Sequence, residues 1–333
     1  MNNAYYILTK NEMSIERFHI CTWEFPKESS YIEFGIEFSH GSFNDTDNLE
    51  FHLVIPDISS SDPVTCLLKN LSSTDNGRFI FNDVVVGIDN IGNDSRDGSI
   101  LKFEHRDKLT ILPCDVTVTN GVLCIKTKKP NKYEGNLYCR VLVELKNKTI
   151  AITKKGIAQT TYIYDLKINE KRNLPQEVYD LKNSNNLKIC TIKKLFCLHA
   201  FPDSFICNFV DSSKLKNIRK LESSAFQKYL PQIRGISKDC YNIMFLKDDN
   251  SDGTESYSLF SVCSEETIGS KQIALAICTN ILCTLLFAFS SLKINNSSLK
   301  WYYQIPWEYW TAIGIVIILC IYLFTPLRRK LNI

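Results

Sequence analysis

Residues 31–38 read YIEFGIEF, and this stretch decides what kind of fold the N-terminal part of the chain adopts. Phe34, Ile36 and Phe38 fall on one side of an extended chain, and acidic residues fall on the other side. Apolar and polar residues that alternate with a period of two are typical of a β-strand with one buried face. The stretch therefore predicts a strand in a sheet that covers a hydrophobic core.

Similar short runs continue on both sides of this strand to about residue 170. They are separated by turn-forming clusters of Ser, Asn, Asp, Pro and Gly, and they lie at residues 49–53, 78–86, 100–103, 121–127, 137–145 and 162–168. Many short strands with regular turns are typical of a sandwich or a barrel-like sheet. We therefore expect a mainly β, sandwich or barrel-like soluble domain over residues 1–170.

Residues 171–265 have a different pattern and are expected to complete this domain with a small helical part. Apolar residues at helical spacing predict helices over residues 174–182 and 211–230, and lysines flank the apolar side of the second. Residues 241–246 and 257–262 are predicted to form a β-hairpin around a polar turn.

Two apolar stretches near the C-terminus, residues 271–292 and 307–327, are predicted to cross a membrane. Each reaches the ~20 residues that ~30 Å of hydrocarbon requires. Aromatic residues within 301–310 and basic residues at 328–330 are typical of membrane interfaces. We expect a C-terminal two-helix transmembrane hairpin, with the lipid bilayer as partner, in a multi-pass inner-membrane protein. The N-terminal domain and the C-terminus would be cytoplasmic, since the N-terminus lacks a signal-peptide pattern. Two buried core helices are the alternative.

The cysteines and histidines do not form a recognisable catalytic or metal motif. Ten of the 13 cysteines lie within residues 1–265, without CxxC spacing and mostly in apolar runs, so free thiols in a reducing compartment are expected. The five histidines show no metal-ligand spacing, and no P-loop, HExxH or GxSxG motif occurs. We therefore expect no metal, no cofactor and no enzymatic activity, and a membrane-bound enzyme with a site built from distant residues is an alternative.

Basic residues are concentrated in one part of the chain. Residues 145–238 contain 18 Lys and Arg against 7 Asp and Glu, a net charge of +11. Concentrated positive charge attracts polyanions, so this block could bind a nucleotide or oligonucleotide, contact anionic lipid, or be a solvated face neutralised by acidic neighbours. The candidate ligand-binding residues are the clustered cations Lys154, Lys155, Lys171, Arg172, Lys193 and Lys194.

The first predicted membrane span carries polar residues on one helical face. A polar face inside a bilayer usually meets other helices or water. One interpretation is contact between the two helices of the hairpin, and the other is the lining of a pore. A pore would need several subunits, so a homo-oligomer is expected. The candidate pore-lining residues are Asn280, Cys283, Thr284, Phe287 and Ser291.

This layout, a charged β-rich domain followed by a predicted hairpin over residues 273–327, resembles the two-transmembrane-helix membrane effectors of bacterial anti-phage defence systems such as CBASS and Hailong. The resemblance is one of architecture and identifies no binding residues. It implies a ligand-gated membrane effector, whose cytosolic domain senses a nucleotide or oligonucleotide signal and whose hairpins permeabilise or depolarise the inner membrane. The alternative is a membrane-anchored structural or adaptor protein without pore activity.

Overall fold

The computed structural model describes residues 4–24, 29–43, 46–92, 97–146, 148, 150–156, 158–172, 174–221, 223–231, 233, 241–249, 256–266, 268–291 and 305–324. β-Strands account for 48% of the residues and form two sheets, so the fold is mostly β with a few helices.

The strands, in chain order, are β1 (Ala4–Thr9), β2 (Ser14–Trp23), β3 (Ser30–Phe38), β4 (Asn48–Val54), β5 (Val64–Cys66), β6 (Val85–Asn90), β7 (Ser99–Phe103), β8 (Leu109–Ile111), β9 (Asp115–Thr119), β10 (Val122–Lys128), β11 (Asn136–Leu145), β12 (Ile152–Lys155), β13 (Gln159–Ile168), β14 (Lys188–Ile189), β15 (Thr191–Ile192), β16 (Lys194–Pro202), β17 (Phe205–Val210), β18 (Leu215–Lys220), β19 (Tyr241–Asp249) and β20 (Tyr257–Glu266). The helices are α1 (Leu68–Leu71), α2 (Thr74–Phe81), α3 (Gln176–Ser184), α4 (Ser223–Tyr229), α5 (Ser270–Ser291) and α6 (Trp307–Phe324), with a 3-10 turn at His40–Phe43.

Sheet 1 has the strand order β17-β20-β13-β1-β4-β10-β9, with β12 beside β13 and β14 beside β1. Sheet 2 has the order β18-β19-β16-β2-β3-β11-β8-β7-β6, with β15 beside β2 and β5 beside β11. Both sheets mix parallel and antiparallel pairs: β16 runs parallel to β2, whereas β3 runs antiparallel to β2 and to β11.

The predicted strand over residues 31–38 is confirmed as β3, and its alternation places its side chains in two separate cores. Phe34, Ile36 and Phe38 are buried in the larger core, which both sheets supply. Glu33 and Glu37 are also buried, at 0% and 3% exposure, on the opposite face of sheet 2. Residues of α1, α2 and α4 form a second core on that face, so the polar side of this strand lies beneath helices.

Three predictions of secondary structure are wrong. The predicted helix over 211–230 is the edge strand β18 followed by the short helix α4. The predicted strand over 78–86 contains the end of α2 and the start of β6. The predicted hairpin over 241–262 has its strands in different sheets, because β19 pairs with β16 and β18 while β20 lies beside β13 and β17.

The chain divides into two compact units. The first comprises Met1–Lys154 and Thr161–Ser264, and the second comprises Lys155–Thr160 and Glu265–Ile333. In the second unit α5 packs against α6, and the backbone N–H of Ile268 donates to the carbonyl of Ala158 at 3.3 Å.

The predicted transmembrane hairpin and the multi-pass inner-membrane location are contradicted by the helices of the described residues, none of which is long and apolar enough to cross a membrane. α6 has 18 residues and spans about 27 Å at about 1.5 Å per residue, less than the ~30 Å of a hydrocarbon core. In α5, Thr279, Asn280 and Thr284 interrupt the apolar residues. Residues 292, 301–304 and 325–333, which include the basic tail and part of both predicted spans, lie outside the described residues.

Candidate functional site

A cavity of about 400 Å³, which we call the basic cleft, opens on the face of sheet 2 that carries the helices. Four adjacent strands, β2, β16, β19 and β18, form its floor, and the last turn of α2 and the segment after β7 form its walls. Its lining residues are Arg17, His19, Cys21, Phe79, Ile80, Phe81, Asn82, Arg106, Phe196, Leu198, Lys216, Asn217, Arg219, Ile243, Phe245 and Lys247.

Strand register explains why residues far apart in sequence meet in this cleft. Phe196 of β16 lies opposite His19 of β2 on one side and opposite Lys247 of β19 on the other. Asn217 of the edge strand β18 pairs with Phe245. Because directly opposite residues of neighbouring strands point to the same face, these rows place their side chains together on the floor.

The floor and one wall are aromatic. The Phe196 ring lies 5.1 Å from the His19 ring, edge-on at 86°, and 6.0 Å from the Phe245 ring, stacked at 13°. Phe81 at the end of α2 approaches His19 from the wall at 6.1 Å. Phe196 and Phe245 are partly exposed, whereas Phe81 and His19 are buried. A partly exposed aromatic face can stack with a nucleobase, whichever base it is.

Five cations surround this aromatic floor: Arg17, Arg106, Lys216, Arg219 and Lys247. The described lining residues include no carboxylate, so the formal charge of the lining is strongly positive. The guanidinium carbon of Arg17 lies 5.9 Å from the centre of the Phe196 ring, and that of Arg106 lies 5.4 Å from the centre of the Phe81 ring. These distances are within the range of cation–π contacts, which hold cationic heads beside aromatic rings.

One carboxylate outside the lining, Glu37, positions two of these cations. The Arg106 Nη2 donates to Glu37 Oε2 at 3.2 Å, and the Arg17 Nε lies 3.6 Å from the same oxygen. The Arg106 Nη1 is buried and has no hydrogen-bond partner among the described residues. Burial lowers the pKa of Arg106, but a guanidinium stays protonated at neutral pH. Arg106 is therefore a fixed cation with one donor still to be satisfied, at the wall of a cavity.

A buried ion pair anchors the sheet beneath the cleft. Glu33 accepts hydrogen bonds from the Trp23 Nε1 at 2.7 Å, the Arg140 Nε at 2.6 Å and the Tyr229 hydroxyl at 2.7 Å. Both Glu33 and Arg140 have side chains with 0% exposure. The Arg140 Nη1 also donates to the hydroxyl of Tyr138 at 2.8 Å. Strands β2, β3 and β11 and helix α4 are thus tied together by one charged network.

This network fixes the state of His19 in the cleft. The Tyr138 oxygen accepts from Arg140, and the Tyr138 hydroxyl shares a hydrogen bond with the His19 Nδ1 at 2.9 Å. Burial, with a further contribution from Arg140, lowers the pKa of His19 well below its usual value. His19 is therefore neutral at pH 7. Gly35, opposite His19, makes room for the arrangement, since a Cβ there would lie 1.9 Å from the Tyr138 oxygen.

A second cavity of about 640 Å³ shares Phe79, Asn82 and Arg219 with the basic cleft. The cations that it adds are Arg78, Lys220 and Lys228. Its lining also includes two acidic residues, Asp75 and Asp83. The basic surface therefore continues beyond the cleft, along α2 and β18 towards α4.

The six cations predicted from sequence clustering lie elsewhere and do not line the cleft. Lys154 and Lys155 are exposed on β12, and Lys171 and Arg172 follow β13. Lys193 and Lys194 lie between β15 and the start of β16. Arg172 pairs with Glu170 at 2.8 Å, and Lys193 pairs with Glu16 at 2.7 Å. Their role as ligand-binding residues stays a prediction.

The predicted pore-lining residues lie on α5. The Thr284 hydroxyl donates to the Asn280 carbonyl of its own helix at 2.9 Å, and Cys283 and Phe287 are exposed. Among the described side chains of this helix, Ala274 and Cys278 are buried, and they lie on another face. Only the backbone of Ser291 is described.

Sequence reasoning missed the cleft because its cations come from four separate segments. Lys216 and Arg219 belong to the +11 block but lie in the segment wrongly predicted to be a helix. Arg17, Arg106 and Lys247 come from acidic parts of the chain. Residues 215–220, LKNIRK, gave no local signal for a strand, because their apolar residues Leu215 and Ile218 are three positions apart, as in a helix.

Comparison with known proteins gives no independent indication of the site's ligand. No model of a known protein family matches this chain, and no curated protein matches it.

Proposed function

We propose that this protein binds a nucleotide or short oligonucleotide in the basic cleft and acts as a sensor or binding protein for that ligand. The observation that carries the proposal is the composition of the cleft: five cations and no carboxylate among its described lining residues, around an aromatic floor. A polyphosphate with an attached planar base is the metabolite class that matches both halves of this surface.

Within the cleft, the cations suit the phosphate groups and the aromatic floor suits the base. Arg106 offers the donor that lacks a partner, and Arg17 lies beside it on the same Glu37 carboxylate. Lys216 and Arg219, on the exposed edge strand, approach from the opposite rim. Phosphate groups would lie between these two sets of cations, and the base would stack on Phe196.

The size and enclosure of the cleft favour a small ligand over an extended polymer. A volume of about 400 Å³ lies in the range of roughly 300–1,000 Å³ that is usual for small-molecule sites. The adjoining cavity, with Lys220 and Lys228, gives room for one or two further nucleotides of a short oligonucleotide.

The membrane step of the sequence-based hypothesis is not retained, because it required two membrane-crossing helices. The expected role in anti-phage defence, the homo-oligomer and the absence of enzymatic activity stay predictions. The proposal concerns only ligand recognition by the β-rich unit.

Isothermal titration calorimetry with the full chain tests the proposal. A panel of mononucleotides, cyclic dinucleotides and short oligonucleotides is titrated at low salt, with inorganic tripolyphosphate as a ligand that has phosphate but no base. We expect at least one nucleotide to bind, with affinity that falls as salt rises, because phosphate neutralisation releases counterions.

Two variants separate the contributions of base and phosphate. Phe196→Ala should weaken nucleotide binding about 5- to 100-fold, since stacking contributes ~1–3 kcal/mol per base. It should weaken tripolyphosphate binding much less, because Glu37 still holds Arg17 after the cation–π contact with Phe196 is lost. Arg106→Leu should weaken both ligands about tenfold or more, since it removes a charge-assisted donor. Thermal melting confirms that each variant is folded. No binding across the panel, or binding that neither variant alters, would show that the cleft is not a nucleotide site.

A further inference from the structure

A second cluster of chemically active side chains lies on sheet 1, away from the larger core. β4 alternates strictly, with Leu49, Phe51 and Leu53 buried in that core. Glu50 and His52 therefore share the opposite face of the strand. Cys124 of β10 pairs directly with His52, so its thiol points to the same face.

We propose that Glu50, His52 and Cys124 form a zinc-binding site. One ligand atom from each residue, a carboxylate oxygen, a ring nitrogen and the sulfur, lies within 4.8 Å of the other two. In a tetrahedral zinc site, with ligands about 2.0–2.3 Å from the metal, ligand atoms are roughly 3.3–3.8 Å apart. The observed spacing thus needs only side-chain adjustments to admit the ion.

Two of the three ligand atoms face each other. The His52 Nε2 is buried and has no hydrogen-bond partner among the described residues. It lies 3.7 Å from the Glu50 Oε2, a separation that suits two ligands of one zinc ion. The other oxygen of Glu50, Oε1, is held by the Lys126 ammonium at 2.9 Å, and the Cys124 thiol shares a hydrogen bond with Thr117. Lys126 therefore competes with a metal for the charge of the carboxylate but leaves Oε2 available.

The donor set indicates which cation fits. Zinc, a borderline cation, accepts a soft thiolate, an imidazole and a hard carboxylate together, whereas magnesium and calcium prefer oxygen ligands alone. Three protein ligands leave a fourth position for water or a substrate atom, as in zinc sites that are open to chemistry. The positive charge of Lys126 beside the site should weaken binding relative to a closed four-ligand site.

The sequence signal for this site is short, which explains why spacing rules did not find it. Glu50-x-His52 supplies two ligands two residues apart, the spacing that a strand, not a helix, places on one face. The third ligand becomes a neighbour only through the pairing of β4 with β10.

Cobalt substitution of the full chain tests the proposal. Cobalt(II) titrated into the reduced, metal-free protein should produce a thiolate-to-metal charge-transfer band and tetrahedral d–d bands. One equivalent of zinc should displace them, and a large excess of magnesium should not. The band should be lost in Cys124→Ser and in His52→Gln, and Cys283→Ser, which removes an exposed thiol on α5, should keep it.

Lys126→Met provides a test that does not depend on loss of folding. Removing the competing cation should strengthen zinc binding severalfold, measured by competition with a chromophoric chelator, whereas an unrelated site would not respond. The proposal is overturned if cobalt gives no charge-transfer band, if the band persists in Cys124→Ser, or if Lys126→Met leaves zinc affinity unchanged.

Discussion

Glu33 and Arg140 form an ion pair in which neither side chain is exposed to solvent. The carboxylate accepts from three donors, and the guanidinium also donates to the Tyr138 oxygen and to the Cys21 sulfur. Removing one member of such a pair leaves the other charge buried without compensation, which is more costly than removing both. The pair therefore holds β3 and β11 in a single register beneath the cleft.

Arg140→Met should lower the free energy of unfolding by about 3–5 kcal/mol, because Glu33 loses its counter-charge. The double variant Glu33→Gln with Arg140→Met should be more stable than Arg140→Met alone, since the second change removes the uncompensated carboxylate. Urea denaturation followed by tryptophan fluorescence measures both. Equal stability of the single and double variants would mean that the charge of Glu33 is already compensated by its hydrogen bonds to Trp23 and Tyr229.

A second buried residue, His199, makes stability depend on pH. Its Nδ1 shares a hydrogen bond with the Thr22 hydroxyl at 2.6 Å, and its Nε2 has no partner among the described residues. Burial lowers the pKa of His199 to about 3, against about 6.5 for an exposed histidine. Between these values the unfolded chain binds a proton that the folded chain does not bind. Stability therefore falls as the pH decreases below about 6.5.

Replacing His199 with Gln removes the imidazole that takes up a proton on unfolding, and with it this part of the pH dependence of stability. Between pH 6 and pH 4 the slope of unfolding free energy against pH should become shallower by up to about 1.4 kcal/mol per pH unit. The matched control is His105→Gln, whose side chain is 72% exposed and which should leave the slope unchanged. Urea denaturation at several pH values gives the slopes. An unchanged slope in His199→Gln would show that His199 titrates normally in the folded protein.

Among the elements, helix α2 both packs against sheet 2 and forms one wall of the cleft. Gly77 lies in this helix, and a Cβ there would be 2.9 Å from the Val85 Cγ2 and 3.1 Å from the Leu101 Cδ2. The helix therefore sits directly on β6 and β7. Its C-terminal turn carries Phe79 and Phe81 into the lining of the cleft.

Gly77→Val should push α2 away from the sheet and so widen the cleft. We expect a loss of about 1–3 kcal/mol in stability, as for overpacked cores, together with weaker binding of the nucleotide found by calorimetry. The control is Gly87→Val on β6, where a Cβ meets only the flexible Lys102 side chain, at 3.7 Å. Normal binding by Gly77→Val would show that the position of α2 does not shape the site.

The elements themselves show what the sequence could predict and what it could not. Alternation over residues 31–38 correctly predicts β3, because each of its faces meets a different environment. The apolar residues of 215–220, Leu215 and Ile218, have helix spacing, and the pairing of β18 with β19 at the sheet edge makes this segment a strand instead. Partner strands such as β19 and β16 are set by long-range pairing, which a local pattern does not encode.

At the scale of the whole molecule, folding redistributes the charge seen along the chain. Among the described residues that line the cleft, the cations from the +11 block of residues 145–238 are Lys216 and Arg219. Arg17 and Arg106 come from residues 1–144, a segment of net charge −7. Net charge of a segment therefore indicated a polyanion as partner without locating the site, since the sheet register assembles the cations.

We expect the cleft, and not the general positive charge of the chain, to recognise the nucleotide. Two double variants with the same change in net charge separate these possibilities. Lys216→Gln with Arg219→Gln removes two cations from the cleft, whereas Lys154→Gln with Lys155→Gln removes two exposed cations from β12.

Calorimetric titration of both variants with the best nucleotide of the panel, at one fixed salt concentration, is the most direct measurement. We expect the cleft variant to bind at least about tenfold more weakly, since each charge-assisted phosphate contact contributes about 1.5–3 kcal/mol. The β12 variant should bind within about twofold of the wild type, because Lys154 and Lys155 are exposed and do not line the cleft. Equal weakening in both variants, or weakening only in the β12 variant, would contradict the assignment of the cleft as the nucleotide site.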